Sequence, residues 1–386
     1  MRDAVTIEAI EVRIVALPMV EPFVAAHGTV DHRTLVLVRV TGDGTEGWGE
    51  CAALPTPSYS PEYVDGAYGV LVEELAPRLL AAGPVSADDL SSVFADVAGH
   101  HMARASLELA LLDAAGRRSG TPLARTLAPH PSGPRPQVPA GVALGLPATD
   151  DELATAVRTR LDEGYRRIKL KIAPGRDVDV VRVARDIAGP EVTLLADANG
   201  AYRWDVTPGA LDDARRLEAL DEFDLVALEQ PLPADDLLDS AELARRLHTP
   251  IALDESLVSG TVVREALDLG ACSVVCVKAP MLGSWSTAAQ VLDHCAALGI
   301  DAYVGGMLDG GLGRAATIAL AAHPGATITG DISATARFFT DDIGEPVVVT
   351  DGEVAVPTGS GVGVVPQADA LARLTVRCET VRASDR

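Results

Sequence analysis

At 386 residues the chain is longer than one ordinary domain, since division by roughly 150 residues gives about 2.6 units. A 48% hydrophobic content and a mean hydropathy of +0.19 supply enough apolar side chain for a large core, which excludes a mainly disordered or disulfide-stapled protein. The 32 basic and 55 acidic residues give a net charge of −23, so phosphate backbones and anionic membranes would repel the chain, and neither nucleic acid nor a membrane is an expected partner. The five cysteines, at 51, 272, 276, 295 and 378, are odd in number and form no C-x-x-C pair. They fit a reducing, cytoplasmic setting and no zinc site. No apolar run approaches the roughly 18 residues of a membrane span.

The first 50 residues alternate as strands do: IEAIEVRIVALP, then TLVLVRVTGDG, where Gly42-Asp43-Gly44 reads as a hairpin turn into TEGWGE. Residues 61–125 repeat apolar positions at three and four, predicting helices over YVDGAYGVLVEELAPRLLA and MARASLELALLDAAGRRSG, the second stopped at Gly120. The segment 128–137, APHPSGPRPQ, has four prolines and no periodicity, and a domain boundary is expected there, near residue 130.

Beyond it, short runs rich in Val, Ile and Leu alternate with helix-like runs. There are eight strand candidates: VPAGVALG, RRIKLKIA, VTLLADAN, DLVALEQ, PIALDES, CSVVCVKA, DAYVGG and ATITGD. Such alternation over residues 131–330 predicts an α/β fold with a parallel sheet, better suited to a (β/α)8 barrel than to an open doubly wound sheet. The rhythm breaks after about residue 330. The segment 331–386 is therefore expected to leave the barrel and rejoin residues 1–130, so that both regions build an α+β capping domain.

Barrel active sites lie at the C-terminal ends of the strands. Those ends carry Lys169 and Lys171 on strand two, Asp197 and Asn199 on strand three, Glu229 on strand four, Asp254 on strand five and Lys278 on strand six. In Arg167-Ile168-Lys169-Leu170-Lys171-Ile172 the aliphatic residues share one face and the lysines the other, which aims the lysines into the barrel. Two inward ammonium groups call for compensating charge, and their pKa values are expected to be lowered. Three carboxylates from adjacent strands offer only hard oxygen donors, the ligand set for Mg2+ or Mn2+. Strands two and six are four positions apart in a ring of eight, so Lys171 and Lys278 would approach a small carboxylate substrate from opposite faces. That pairing suits removal of a proton α to a carboxylate. A lone lysine at a strand end is more often solvated surface and a lone Asp before a helix more often a cap, but the ordered series is harder to dismiss. Cys272 and Cys276 share the inward parity of Lys278 and read as interior filler, and His27 reads as a loop residue. The glycine-rich run containing Gly305, Gly306 and Met307 lacks the P-loop ending, and close approach of the backbone to substrate explains it.

These motifs resemble the enolase superfamily, its muconate-lactonizing-enzyme subgroup, and within that the branch of N-acylamino acid racemases and o-succinylbenzoate synthases. The resemblance rests on EPFVAAHGT, GWGEC, RIKLKIAPG, ADANGAY, LEQPL, IALDES, VCVKA, GGMLDGGLGRAA and GDISATARFFTDDI, which run nearly end to end. It implies that Lys171 and Lys278 are the paired acid/base residues, that Lys169 tunes Lys171 and touches the substrate carboxylate, and that Asp197, Glu229 and Asp254 hold Mg2+. Asn199 and Glu255 would support the metal. His27, Tyr59, Ala143, Met281, Gly305, Gly306 and Met307 would surround the substrate. The branch reads P-F-R-T-S-F-G where this chain has Pro22-Phe23-Val24-Ala25-Ala26-His27-Gly28, Ser where it has Ala143, and K-P-G-R-V-G-G where Lys278-Ala279-Pro280-Met281-Leu282-Gly283-Ser284 stands. The machinery is thus kept while the specificity elements change. The implied activity is racemisation or epimerisation of an N-acylated or substituted amino acid by a homo-oligomer. The alternatives are syn-dehydration or cycloisomerisation after the same first step, and, from another class, a metal- or ligand-binding barrel without turnover.

Overall fold

The computed structural model describes residues 4–26, 28–204 and 208–383. A four-stranded antiparallel sheet begins the fold, in the order Thr375–Arg382, Ala9–Leu17, Arg33–Gly42, Thr45–Cys51. The expected hairpin closes through Asp43 and Gly44, whose positive φ angles of 50° and 71° give the turn that matches strand twist. The C-terminal strand pairs with the first one, Arg382 facing Ala9, so the tail does return to the cap. Helix His101–Ser119 lies across this sheet and ends at Gly120 with φ 72°. Gly47 and Gly49 let it come close: a Cβ on either would stand about 2.0 or 1.9 Å from the carbonyl oxygens of Ala110 and Ser106. The G-W-G-E stretch is therefore a seat for a helix, with Trp48 buried between the glycines.

Seven consecutive parallel strands form the barrel wall: Gly141–Leu144, Arg167–Lys171, Thr193–Asp197, Ala227–Glu229, Ile251–Leu253, Val274–Val277 and Asp301–Val304. The eighth candidate, ATITGD, is not a regular strand, yet it closes the ring. Ile328 and Asp331 donate backbone N–H groups to Ala302 and Val304 on one side, and Ile332 accepts from Gly141 N on the other. The ladder is broken because Thr327 and Ile328 share one acceptor, Ala302 O. At the seam a Cβ on Gly330 would sit 2.3 Å from Val304 O and one on Gly141 2.2 Å from Gly330 O, so the backbones touch where side chains would hold them apart. Among the described residues only a short 3-10 turn, Thr335–Arg337, follows this segment where an eighth helix would stand.

Strand parity sorts the core into layers. Outward side chains such as Ile168, Leu170, Leu194 and Val275 pack under the helices, while Leu195, Ala227, Ala252, Val274, Cys276 and Tyr303 fill the barrel interior. Four of these inner residues lie two positions before Asp197, Glu229, Asp254 and Lys278. The interior is thus plugged with apolar groups, and the charged side chains stand on that plug at the strand ends.

The helix seat gives a direct test. Gly49→Ala should lower the free energy of unfolding by at least about 1–3 kcal/mol, read as a fall in the urea midpoint, because backbone must move to admit one methyl group. An unchanged midpoint would mean that the helix is not seated there.

Candidate active site

Lys169, Lys171, Asp197, Glu229, Asp254 and Lys278 converge at the barrel mouth, all of them buried. Lys171 Nζ donates to Asp197 Oδ2 at 2.6 Å and Asn199 Oδ1 at 2.7 Å. Across the mouth Lys278 Nζ donates to Asp254 Oδ2 at 2.6 Å and to the Tyr59 hydroxyl at 2.9 Å, lying 4.9 Å from the centre of that ring. Lys169 lies between them, donating to both Glu229 oxygens at 3.0 Å and to Asp331 Oδ2 at 2.6 Å. The three lysines open on one cavity that Tyr59, Ala143, Asn199, Gly306 and Met307 also line.

Local chemistry fixes these positions. Gln230, just past the fourth strand, accepts the backbone N–H groups of Asp254 and Ser256 and donates to Ser256 Oγ at 2.8 Å. The E-Q-P and D-E-S motifs are thereby stitched together, and Asp254 is held beside Glu229. Asn199, in the left-handed region at φ 44°, turns its amide to Glu255 Oε1 at 2.7 Å. Gly305 is required by Lys278: a Cβ there would stand 2.5 Å from Lys278 Cε and 2.7 Å from Cys276 Sγ. The close approach expected of the glycine-rich run is to a lysine side chain of the protein.

The Lys169 pKa runs opposite to expectation. Burial alone would depress Lys169, but Asp331, Glu229 and Asp197 outweigh it and hold the ammonium well above its ordinary value. Burial of Lys278 is likewise overcome, chiefly by Asp254. Desolvation loses at Lys169 and Lys278 because both have a carboxylate at contact distance. Among the acids, burial followed by the Asp197 charge pushes Glu229 up to about 8, and burial followed by Asp254 pushes Glu255 to about 7. Asp197, despite burial, is held below the usual carboxylate range by Lys171 and Lys169.

The donor set fits a divalent cation. Asp254 Oδ1 and Glu255 Oε2 are buried without a hydrogen-bond partner, and crowded carboxylates raise one another's pKa. Glu229, Asp254 and Cys276 have donor atoms within 4.8 Å of one another, while Asp197 is turned to its lysines.

Of the other expected residues, Met281 is buried in the cap core with Met307 rather than on the cavity wall, and His27 lies outside the described residues. Cys276 fills the barrel interior as expected, whereas Cys272 packs in the layer under the helices with Cys295, because it precedes the strand whose alternation was extended to it. Sequence reasoning missed Asp331, which also pairs with the buried Arg167, and Tyr303, whose hydroxyl donates to Glu229 at 2.5 Å. The rule that strands end in ionisable groups finds Asp331 when applied to ATITGD. It also missed Arg33, fully buried in the cap, which donates to Leu308 O at 3.0 Å, Ala52 O at 3.1 Å and Ala53 O at 2.5 Å. Arg33 thus ties the cap to the 307–308 segment that roofs the cavity. Beside it Glu50 accepts the N–H groups of Gly310 and Gly313 at 2.8 and 2.9 Å.

Residues 152–370 match the family model described as "Enolase C-terminal domain-like", and residues 9–127 match that of the "Mandelate racemase / muconate lactonizing enzyme, N-terminal domain". The chain belongs to the enolase superfamily. It is 45% identical to an N-succinylamino acid racemase from an Amycolatopsis species, over 96% of this chain and 97% of that protein. It is 40% identical to an o-succinylbenzoate synthase from Geobacillus kaustophilus, with 93% of each chain covered. A solved enolase-superfamily structure from Listeria innocua superposes with a TM-score of 0.91 at 32% identity, covering 98% of this chain and all of that one. As in sequence, no helix among the described residues is long and apolar enough to cross a membrane.

In this superfamily member the cap–barrel joint carries its own pH dependence. Burial, reinforced by Asp309, pushes the Glu50 carboxyl from 4.5 up to about 8. The native state therefore keeps a proton that the unfolded chain releases, and stability from this group declines as pH rises from about 4.5 through about 8. Glu50→Gln cannot ionise, so its unfolding free energy should fall less steeply between about pH 5 and about pH 8, measured by urea titrations at each pH. Equal slopes in the two proteins would show Glu50 ionised in the fold.

Proposed function

We propose that this protein is a Mg2+-dependent racemase or epimerase that moves the proton α to the carboxylate of an N-acylated or otherwise substituted amino acid. The observation that carries the reading is the pair Lys171 and Lys278, on the second and sixth strands, opening on one cavity from opposite sides of the ring. A lysine on each face lets one remove the α-proton while the other delivers a proton to the opposite face, the requirement for inverting a stereocentre. The likeness to an N-succinylamino acid racemase over nearly the whole chain supports the reaction and the substrate class.

Asp197, Glu229 and Asp254 would hold the Mg2+, with Asn199 and Glu255 supporting them. When bound, the ion supplies positive charge at the substrate carboxylate, where negative charge grows as the α-proton leaves. Lys169, held by Glu229 and Asp331, is fixed beside the ligands as a permanent cation and suits recognition of the substrate carboxylate. Tyr59 orients Lys278 through its hydroxyl and ring. The carboxylates that bind the two acid/base lysines are the ones offered to the cation, so ammonium groups and metal compete for the same oxygens. Ala143, Gly306 and Met307 would border the rest of the substrate, and the space left by Ala143 in place of a hydroxyl favours a different acyl group from that of the relatives.

A second reading keeps the same proton abstraction and follows it with loss of a β-hydroxyl as water. It is supported by the 40% identity to an o-succinylbenzoate synthase. Incubation with Mg2+ in D2O against N-acylamino acids, dipeptides and cyclic carboxylates separates the two. Deuterium at the α-carbon with loss of optical activity marks racemisation, loss of the mass of water marks dehydration, and inertness across the panel would refute both. Lys171→Ala and Lys278→Ala should each lower racemisation by at least about 100-fold, with single-enantiomer exchange surviving where the remaining lysine faces the proton. Full racemisation in either variant would end the two-base reading.

A further inference from the structure

Cys276 lies in the interior of the sixth strand, 2% exposed, two residues before Lys278. Its Sγ and the carboxylates of Glu229 and Asp254 have donor atoms that all lie within 4.8 Å of one another. A second observation points to a ligand: Asp254, 1% exposed, has Oδ1 buried and without a partner, while its Oδ2 binds Lys278. Gly305 packs its backbone beside the sulfur, where a Cβ would stand 2.7 Å from it, so no side chain comes between them. The third acid of the expected ligand set, Asp197, gives its Oδ2 to Lys171 at 2.6 Å and Lys169 at 3.3 Å, and Glu229 accepts Lys169 at 3.0 Å on both oxygens, so an ion at either acid displaces an ammonium contact. Among the described residues, the donors gathered within 4.8 Å are two carboxylates and one thiol.

Mg2+ takes hard oxygen ligands and does not recruit sulfur, whereas Zn2+ and Cd2+ accept a mixed oxygen and sulfur set. We propose that Glu229, Asp254 and Cys276 form a thiol-containing cation site that takes a thiophilic divalent ion and excludes Mg2+ from the two carboxylates they share. The inference rests on the reading of Glu229 and Asp254 as cation ligands. On binding, the S–H bond of Cys276 breaks, its proton leaves to solvent and a sulfur–metal bond forms, with no change of oxidation state. The barrel mouth thereby becomes a point where a soft cation blocks a Mg2+-dependent reaction. The sulfur contact belongs to this chain's own strand six, V-V-C-V-K, and to the glycine facing it.

The test uses the full chain, stripped with a chelator, in a Cys378→Ser background that removes the exposed thiol. Titration with Cd2+ should raise the ultraviolet sulfur-to-cadmium charge-transfer band to saturation at one ion per chain. Added Mg2+ should shift that titration to higher Cd2+. Cys276→Ser in the same background should abolish the band and weaken Cd2+ binding by at least about tenfold. Cadmium NMR of the Cys378→Ser protein reports one sulfur ligand without any change inside the barrel, which keeps the test valid if the inner variant fails to fold. Cd2+ binding without the band, or a band that survives Cys276→Ser, would overturn the proposal. If Mg2+-dependent deuterium exchange persists in that case, sulfur ligation alone has failed and the all-oxygen reading stands. If neither cation binds, both readings fall.

Discussion

Charge buried at the barrel mouth must be compensated there, because no solvent is at hand to do it. Four cations, Arg167, Lys169, Lys171 and Lys278, meet four carboxylates, Asp197, Glu229, Asp254 and Asp331, in side chains that are at most 10% exposed. Removing any one member leaves an uncompensated charge in low dielectric, which costs more than the pair contributes. With all four carboxylates ionised the set balances at zero, so a divalent cation would tip it to +2. A substrate carboxylate and ionised Glu255 are the groups that restore balance. A protein of net charge −23 can in this way present a cationic pocket to an anion, since the overall charge sits on the surface and the site answers only to its neighbours.

Lack of solvent also explains how the cap is bolted to the barrel, by buried side chains that satisfy backbone groups. Arg33 reaches down from the cap sheet to Leu308 O, and Glu50 satisfies the first N–H groups of helix Gly311–Ala321. In the other direction Glu108 of the cap helix accepts Trp285 N and Ser286 N at the start of a barrel helix. Each contact pairs an ionisable side chain with backbone groups at a segment end, where orphan donors and acceptors are otherwise costly when buried. The roof over the cavity is therefore held by directional bonds, and its apolar members Leu54, Met307 and Leu308 follow the backbone they sit on.

Much of the site was legible because strands have a period of two. Once Lys169 and Lys171 share a face with Asp197, Glu229, Asp254 and Lys278, the barrel's geometry brings them together, and the structure does so. What parity could not reveal was who faces whom. Asp331 answers Lys169 across the closing seam, and Tyr303 caps Glu229 from the seventh strand; neither pairing follows from spacing along the chain. The raised Lys169 was misread for the same reason, since burial was visible in sequence and the contacting carboxylates were not. Cys272 failed differently, lying just before the point where strand alternation begins. The irregular eighth strand escaped because its apolar pattern resembles the others, while the break comes from two adjacent N–H groups sharing Ala302 O.

The pairing of Thr375–Arg382 with Ala9–Leu17 joins residues separated by nearly the whole chain. Contacts of such sequence separation are entropically expensive to form early. A nascent cap would hold strand Ala9–Leu17 with one edge bare throughout synthesis of the barrel, an aggregation-prone template until the last strand arrives. Arg13 and Glu11 on that edge, tied by a 2.8 Å ion pair, place charge along it. The outer edge of the cap sheet can be completed only once the tail has been made and folds back, after all the barrel strands have been synthesised.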